Sequence, residues 1–342
     1  MTLQKNVSIG PYTTLGVGGV ADFFVNAASD SDVLEAVAYA KDEHLPLYVL
    51  GAGSNVLVKS GQIKGLVLRV RTSAISCTAH HDDVYVTADA GVAWEDFVDY
   101  CVSRGWYGVE NLAGIPGTVG GATVQNIGAY GVELSRLFVS CECVDLSTGT
   151  RVNVNKEESR FGYRHSIFKE RPELIIERVQ FRLYKNGTFI TDYPDIKAAV
   201  QDHGLPTTPV TMAHCVRMIR ERKFPTSNSA GTAGSFFKNP ILSEEECKRL
   251  SAHYPELPRF SVATNQVKIS LAWILDRVLH LKGMRKDLVG LYEKQPLVLV
   301  AFKGATADAV EEFANAIAQK VFDATGICIE REVENFSPKY FF

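Results

Sequence analysis

Four stretches of the chain concentrate residue types that do chemistry rather than packing. The first, G-I-P-G-T-V-G-G-A-T-V-Q-N-I-G-A-Y-G from Gly114 to Gly131, holds six glycines in eighteen residues. Glycine is costly to order and brings no apolar surface, so this density implies positive φ angles or close approach of backbone to a ligand. Bare, consecutive N–H groups in tight turns form a concavity suited to phosphate oxygens. Ile115, Val119, Val124, Ile127 and Tyr130 interleave the glycines and few serines or charges are present, so the stretch reads as a packed loop and not as a solvated linker. The second, F-G-Y-R-H-S-I-F-K from Phe161 to Lys169, offers Tyr163, Arg164, Ser166 and Lys169 to an anion, because a guanidinium is the natural fork for a carboxylate. A surface turn with ordinary charges fits its spacing equally well. In the third, G-T-A-G-S-F-F-K-N-P from Gly231 to Pro240, two glycines bend the chain before Ser235, whose hydroxyl could be a nucleophile, a proton donor or a helix cap. Phe237 stands where a nucleophile elbow needs its second glycine, which disfavours hydrolase chemistry. The fourth, I-C-I-E-R-E-V-E from Ile327 to Glu334, reads as a strand with Glu330, Glu332 and Glu334 on one face. A glutamate buried in a site would have its pKa raised, as suits acid–base work, and periodicity does not say which of the three it is.

The segments between these stretches must hold them in place. Residues 20 to 50 read as strand, helix, strand, with Val33, Val37 and Ala40 on one helix face and Asp30 to Asp32 at its start. The second of those strands runs into G-A-G-S-N, Gly51 to Asn55, and a glycine turn after a strand suits a phosphate. Neither this turn nor Gly16 to Gly18 carries the dinucleotide fingerprint, because no helix follows either, so a Rossmann fold is not expected. Short β-like runs between 65 and 92, a helix from Trp94 to Ser103, and two strands about a turn at Thr148 to Thr150 flank the glycine stretch. Lys185 to Thr188 reads as a hairpin turn. A helix from Met212 to Arg222 ends before Pro225, and the linker-like P-T-S-N-S-A-G-T-A-G that follows marks a domain boundary. Beyond it, Ser243 and Glu246 form a capping-box signature for a helix to about Tyr254, and Ser270 opens another that Gly283 ends. P-L-V-L-V-A-F is a buried strand and Thr306 to Thr325 a long helix stopped by Gly326, which makes this last third an α+β unit.

Composition narrows the classes. The 342 residues are 46% apolar and 22% charged, as in a globular chain of two or three domains, and a net charge of −3 gives no broad field for nucleic acid or acidic membranes. The start M-T-L-Q-K-N-V lacks signal-peptide character, and no apolar run is long enough to cross a bilayer. Seven scattered cysteines favour reduced thiols in a cytoplasm; Cys141 and Cys143 share a strand face without a second ligand pair and read as structural. No pair among the eight histidines has metal-ligand spacing, so no metal is expected.

The motifs L-G-A-G-S-N-V-L, G-I-P-G-T-V-G-G, Q-N-I-G-A-Y-G-V-E-L, R-F-G-Y-R-H-S-I-F-K, G-S-F-F-K-N-P and the E-x-E-V near the C-terminus occur in that order from about residue 13 to 333. Together they resemble the UDP-N-acetylenolpyruvoylglucosamine reductases of peptidoglycan synthesis. The resemblance implies an α+β chain with a vanillyl-alcohol-oxidase-like, two-subdomain FAD-binding fold and a third, substrate-binding α+β domain. It places the first subdomain at 1–72 with 327–342, the second at 73–224, and the substrate domain at 225–326. It implies FAD held non-covalently, with contacts from Gly51, Gly53, Ser54, Asn55, Gly117, Thr118, Gly120, Gly121, Asn126, Gly128 and Ala129. NADPH is the implied co-substrate, and UDP-N-acetylglucosamine enolpyruvate the implied substrate. Arg164, Ser235 and Glu332 match the family's catalytic trio: Arg164 and a protonated Glu332 to stabilise the developing enolate, Ser235 to deliver the proton. Tyr163, Lys223, Asn239 and Gln295 match positions that bind the nucleotide's phosphates and sugar. Tyr193, in F-I-T-D-Y-P-D-I, matches the substrate-covering tyrosine loop of the family's longer class. Arg331 stands where proline is frequent, and a tail with N-F-S-P-K-Y-F-F replaces the usual one after Val333. A cytoplasmic monomer without membrane insertion or nucleic-acid binding completes the expectation. Two other readings are a different FAD oxidase on this fold and a non-catalytic nucleotide-sugar binding protein. Arg164, Ser235 and Glu332 together disfavour both.

Overall fold

The computed structural model describes residues 1–204, 206–225 and 230–342. Alternation of apolar side chains in the first seventy residues builds a four-stranded sheet from β1 (Leu3–Ser8), β2 (Val20–Ala27), β3 (Leu47–Leu50) and β4 (Gln62–Val70). Its order is β1-β2-β4-β3, with β1 antiparallel to β2 and the other three strands parallel. Helix α1 (Asp30–Asp42) makes the crossover. Ser29 caps its first turn in a capping box with Asp32, and Val33, Ala36 and Ala40 are its buried face. One face of the sheet buries Ile9, Ala21, Phe24, Leu50 and Val67; the other shares a core with α1 and the second sheet.

That second sheet is wholly antiparallel. It comprises β5 (Ile75–His80), β6 (Asp83–Asp89), β7 (Phe138–Asp145), β8 (Thr150–Asn155) and β9 (Leu174–Tyr184), in the order β8-β7-β9-β6-β5. Helix α2 (Trp94–Val102) lies on it through Trp94 and Phe97, whose rings sit 6.0 and 4.8 Å from that of Phe181. Cys141 and Cys143 are buried on β7 with their sulfurs 3.6 Å apart, and no metal-ligand cluster exists among the described residues.

Three local expectations are corrected here. The glycine stretch is not a loop throughout: Val119–Gln125 is helix α3, capped at its start by Thr118 and ended by Asn126 in the left-handed region. Helix propensity argues against V-G-G-A, but a Cβ on Gly120 would lie 2.8 Å from that of Ala90, so the glycine is what lets α3 press against the turn after β6. Lys185 to Thr188 is not a hairpin turn, because β9 ends at Tyr184 and the chain leaves the sheet. It is drawn off by Phe189, which stacks on Tyr107 with ring centroids 5.3 Å apart. Ile327 to Glu334 is not a continuous strand: it meets Phe236 to Lys238 through one isolated bridge, Phe237 to Arg331, and only Glu334–Asn335 pairs, with Val56–Leu57.

Helices α4 (Pro194–His203) and α5 (Pro209–Lys223) follow, and the boundary expected in Pro225 to Gly234 falls partly on 226–229, outside the described residues. The last third carries β10 (Gly231–Ser235), α6 (Glu244–His253), β11 (Gln266–Ile269), β12 (Val289–Leu291), β13 (Val298–Ala301) and α7 (Ala307–Thr325). Strands β10, β13 and β12 are consecutive in one sheet, and α7 buries Val310, Phe313, Ala314, Ile317 and Val321 in the core beneath it. The helix begun at Ser270 finishes in a π turn, Ile274–Val278, short of Gly283, with His280 at φ 54° after it. Leu15, Val17, Leu57 and Val333 join this core, so the first and last parts of the chain are packed together.

Candidate active site

Four pieces of chain from distant parts of the sequence close around one cleft of about 300 Å³, a volume at the lower end for small-molecule sites. They are the turn after β3, the start of α3, β10 and the segment around Glu332. In the turn, Gly53 adopts φ +66°, and a Cβ there would stand 2.2 Å from the carbonyl oxygen of Tyr12, so only glycine closes this corner. The backbone N–H groups of Ala52, Gly53 and Ser54 have no hydrogen-bond partner among the described residues, although Gly53 is buried. Buried N–H groups are normally paired, and three bare donors in one turn suit the phosphate oxygens of a dinucleotide. Apolar groups from Trp94, Ile115 and Phe224 supply the remaining wall, as a flavin ring or a base would need.

The reactive corner is built by a tight turn. Gly162 and His165 exchange backbone hydrogen bonds of 3.0 and 3.1 Å, which leaves Tyr163 and Arg164 at the tip, Arg164 with φ 55°. A non-glycine residue in the left-handed region costs on the order of 1 kcal/mol and is held there by its surroundings. Arg164 Nε donates to Glu332 Oε1 at 2.7 Å, a terminal nitrogen donates to the Gly128 carbonyl at 2.8 Å, and the guanidinium carbon lies 5.3 Å from the Tyr163 ring centroid. Burial works against the charge of Arg164, but Glu332 and Tyr163 outweigh it and hold the guanidinium above its ordinary pKa. Gln125, at the end of α3, donates a longer bond of 3.4 Å to the same Glu332 oxygen. Both donors therefore converge on Oε1 of Glu332 and fix the orientation of its carboxyl group.

Of the three glutamates, only Glu332 turns inward: its side chain is 14% exposed, against 74% for Glu330 and 52% for Glu334. Its backbone is pinned on both sides, the N–H to Phe236 O at 2.8 Å and the carbonyl by Asn55 Nδ2 at 3.1 Å. Asn55 therefore ties the glycine turn to the reactive corner. Ser235, the last residue of β10, lines the same cleft, and its hydroxyl has no hydrogen-bond partner among the described residues. A hydroxyl without a structural bond is available to a bound molecule.

Two models of known families match this chain. One, described as an FAD binding domain, matches residues 21–155, and the other, the C-terminal domain of UDP-N-acetylenolpyruvoylglucosamine reductase, matches residues 225–336. The UDP-N-acetylenolpyruvoylglucosamine reductase of Pseudomonas aeruginosa is 38% identical over 337 residues, covering 97% of this chain and 98% of its own. This chain belongs to the UDP-N-acetylenolpyruvoylglucosamine reductase family. The Chromobacterium violaceum reductase is 37% identical over 339 residues, 97% of this chain and 99% of its own. The crystal structure of the reductase from Thermus caldophilus superposes with a TM-score of 0.69 at 24% identity, over 98% of this chain and 99% of that one, which shows a shared fold. The fold is the two-subdomain FAD-binding architecture with an added C-terminal α+β domain, and the cofactor of the family is FAD.

Of the residues expected to hold this reductase's cofactor, Gly51, Gly53, Ser54, Asn55, Gly117, Thr118, Gly120, Gly121 and Gly128 line the cleft beside Arg164, Ser235 and Glu332. Asn126 does not. It is fully buried, with its amide spent on Gly162 O, Glu133 and the Ser135 N–H, so it fixes the turn that carries Arg164. Ala129 is not among the lining residues either, and pairs with Val132 in a short antiparallel ladder. Asn239 lies beside Tyr163, and its side-chain oxygen accepts the Leu271 N–H at 3.0 Å. Tyr193 begins α4, 43% exposed and edge-on to Tyr130, while Lys223 pairs with Asp195 at 2.6 Å. Gln295 stays in the turn before β13, where its side chain meets the Leu297 N–H, and does not reach the cleft. Arg220 was not foreseen. It lines the cleft from α5, donates to Gly114 O at 2.8 Å and is held below its ordinary pKa by burial, against the opposing pull of Tyr130 and Glu95. The only signal for it was a position on the α5 face that also carries Arg217, which pairs with Glu95 and Asp99.

Proposed function

We propose that the chain catalyses the NADPH-dependent reduction of the enolpyruvyl double bond of UDP-N-acetylglucosamine enolpyruvate, giving UDP-N-acetylmuramate for peptidoglycan synthesis. The observation that carries the reading is the meeting, in one cleft, of a phosphate-type glycine turn, the Arg164–Glu332 pair and the unpartnered hydroxyl of Ser235. FAD, which the Gly51 to Asn55 turn and the start of α3 would hold, would supply the two-electron chemistry that links NADPH to the vinyl methylene carbon. Arg164, already charged and oriented by Glu332 and Gly128 O, faces the negative charge that then spreads over the adjacent carbon and its carboxylate. Ser235 gives its hydroxyl proton to that carbon. An alcohol is a weak acid, but an enolate held in contact with it is a strong enough base to take the proton. Tyr163 and Asn239 on one side, and Lys223 and Tyr193 on the other, receive the sugar nucleotide, and Lys223 exchanges Asp195 for a phosphate when it binds. One hydride and one proton enter in this way, so the double bond is saturated by two hydrogens, and the Ser235 oxygen regains its proton from solvent.

The domain division at 1–72 with 327–342, 73–224 and 225–326 is supported by the sheets, since each of the six among the described residues keeps its strands within one of these three parts. No helix among the described residues is long and apolar enough to cross a membrane, and we propose a cytoplasmic monomer. The test is product analysis: the purified protein, FAD, NADPH and the enolpyruvyl sugar nucleotide should yield a product heavier by two hydrogens, in step with NADPH oxidation. NADPH consumption without that product would overturn the reading.

A further inference from the structure

The C-terminal tail does something that neither the trio nor the glycine turn requires. After Glu332 it runs away from the reactive corner along the outside of the turn that holds Gly53. Glu334 N–H bonds to Asn55 O at 3.0 Å, Phe336 N–H to Leu57 O at 3.0 Å, and Lys339 N–H to Leu47 O at 2.6 Å. Phe336 packs on Tyr48 with centroids 5.3 Å apart, and Tyr340 bridges to Leu47, so the tail is anchored on β3 at several points. This anchoring carries the Lys339 side chain to the wall of the cofactor cleft. Among the described residues its ammonium has neither a hydrogen-bond acceptor nor an ion-pair partner. The neighbouring Lys169 is already engaged with Gln125, the Arg164 carbonyl and Glu334. A half-buried, unpaired ammonium is costly unless an anion meets it.

We propose that Lys339 is the counter-ion that the C-terminal tail brings to the diphosphate of bound FAD, so that the tail acts as a clamp on the cofactor. Three things place the anion at the diphosphate rather than at the flavin ring. The tail leaves Glu332 in the direction of β3. It flanks the Ala52 to Ser54 amides on both of their sides through Asn55 and Leu47. Those amides are bare N–H donors of the cleft, so a diphosphate would receive neutral N–H donors and one cation together. The protonation balance agrees: burial lowers the Lys339 pKa, Lys169 adds to this and Glu334 opposes it, which is the balance an entering anion would reverse.

The inference rests on FAD as the occupant of the cleft, and the experiment separates the two. Full-length apoprotein of wild type, Lys339→Met and Lys339→Arg is titrated with FAD and, separately, with riboflavin, which has the ring without the diphosphate, by quenching of flavin fluorescence. The expected result is a loss of about tenfold or more in FAD affinity for Lys339→Met, recovery in Lys339→Arg, and riboflavin binding equal in all three. Raising the salt concentration should weaken FAD binding to wild type more than to Lys339→Met. Equal FAD affinity in wild type and Lys339→Met, or an equal loss of riboflavin and FAD binding, would overturn the inference and leave the tail as packing alone. A wild-type protein that takes up no FAD would overturn the cofactor assignment and the inference with it.

Discussion

Replacing Ser235 by alanine should separate the two halves of the reaction. The side chain ends β10 with no hydrogen-bond partner among the described residues, and the backbone pairing of Ser235 with Val298 does not involve the hydroxyl. Alanine keeps the Cβ and the pairing, so the stability change should stay within about 0.5 kcal/mol. What is lost is the proton donor. Positioned proton transfer contributes on the order of 10²- to 10⁴-fold, equivalent to about 2.7–5.5 kcal/mol of barrier. The loss should fall on the half-reaction that reduces the substrate, because hydride transfer to an enolate that receives no proton is unfavourable and reverses. The assay is anaerobic stopped-flow absorbance of the flavin. Bleaching by NADPH should proceed at the wild-type rate in Ser235→Ala, and recovery on adding the enolpyruvyl sugar nucleotide should slow by at least about a hundredfold. Equal slowing of both phases would mean that Ser235 shapes the cleft instead of supplying a proton. Wild-type recovery would remove it from the chemistry altogether.

Glu332→Ala leaves the Arg164 guanidinium, 16% exposed, with only the Gly128 carbonyl. Thermal unfolding should report a loss of about 2–3 kcal/mol, below the ~3–5 of a fully buried pair, with Glu332→Gln recovering part of it, and an unchanged melting temperature would contradict the pairing. In Gly53→Ala the new Cβ would meet the Tyr12 carbonyl at 2.2 Å in a left-handed backbone, so FAD should be lost on gel filtration and stability should fall by more than about 1–2 kcal/mol. Retained FAD would show that the turn gives way. Burial pushes the Tyr130 hydroxyl up to about 12, against the lowering pull of Arg220. Between pH 10 and 12 the unfolded phenol then releases its proton while the folded one keeps it, so folding stability falls as pH rises through that window, by roughly 2–3 kcal/mol in all. Denaturant titrations should show a shallower alkaline decline in Tyr130→Phe, and equal slopes would contradict the assignment.

Local order in this protein was readable where a short signal decides it. Ser243 and Thr306 cap the helices expected after them, and Gly326 ends α7 at φ 71°, whereas the first helix is capped by Ser29 and not by the aspartates at 30 and 32 alone. The glycine turn at Gly51 to Asn55 and the family's trio were likewise evident as residue types. Contacts that join distant segments were not. The Arg164–Glu332 pair spans 168 positions, and the bond from Asn55 to the Glu332 carbonyl spans 277, so neither leaves a mark in local spacing. The strand periodicity read into Ile327 to Glu334 did not apply, because that chain is held by the Phe236 carbonyl and Asn55 and not by a ladder, which is why one glutamate alone turns inward. Helix α3 was hidden by its glycines, whose small size matters only once Ala90 lies against them. The motif of Asn126 suggests a cofactor ligand, whereas its amide is consumed inside the fold.

The most direct test of the central claim is an anaerobic visible spectrum of the FAD-loaded protein, taken before NADPH, after NADPH and again after the enolpyruvyl sugar nucleotide. The account predicts flavin absorbance that bleaches with NADPH and returns when the sugar nucleotide is added in the absence of oxygen. Absorbance that bleaches but returns only when oxygen is admitted would contradict it and point to an oxidase on the same fold.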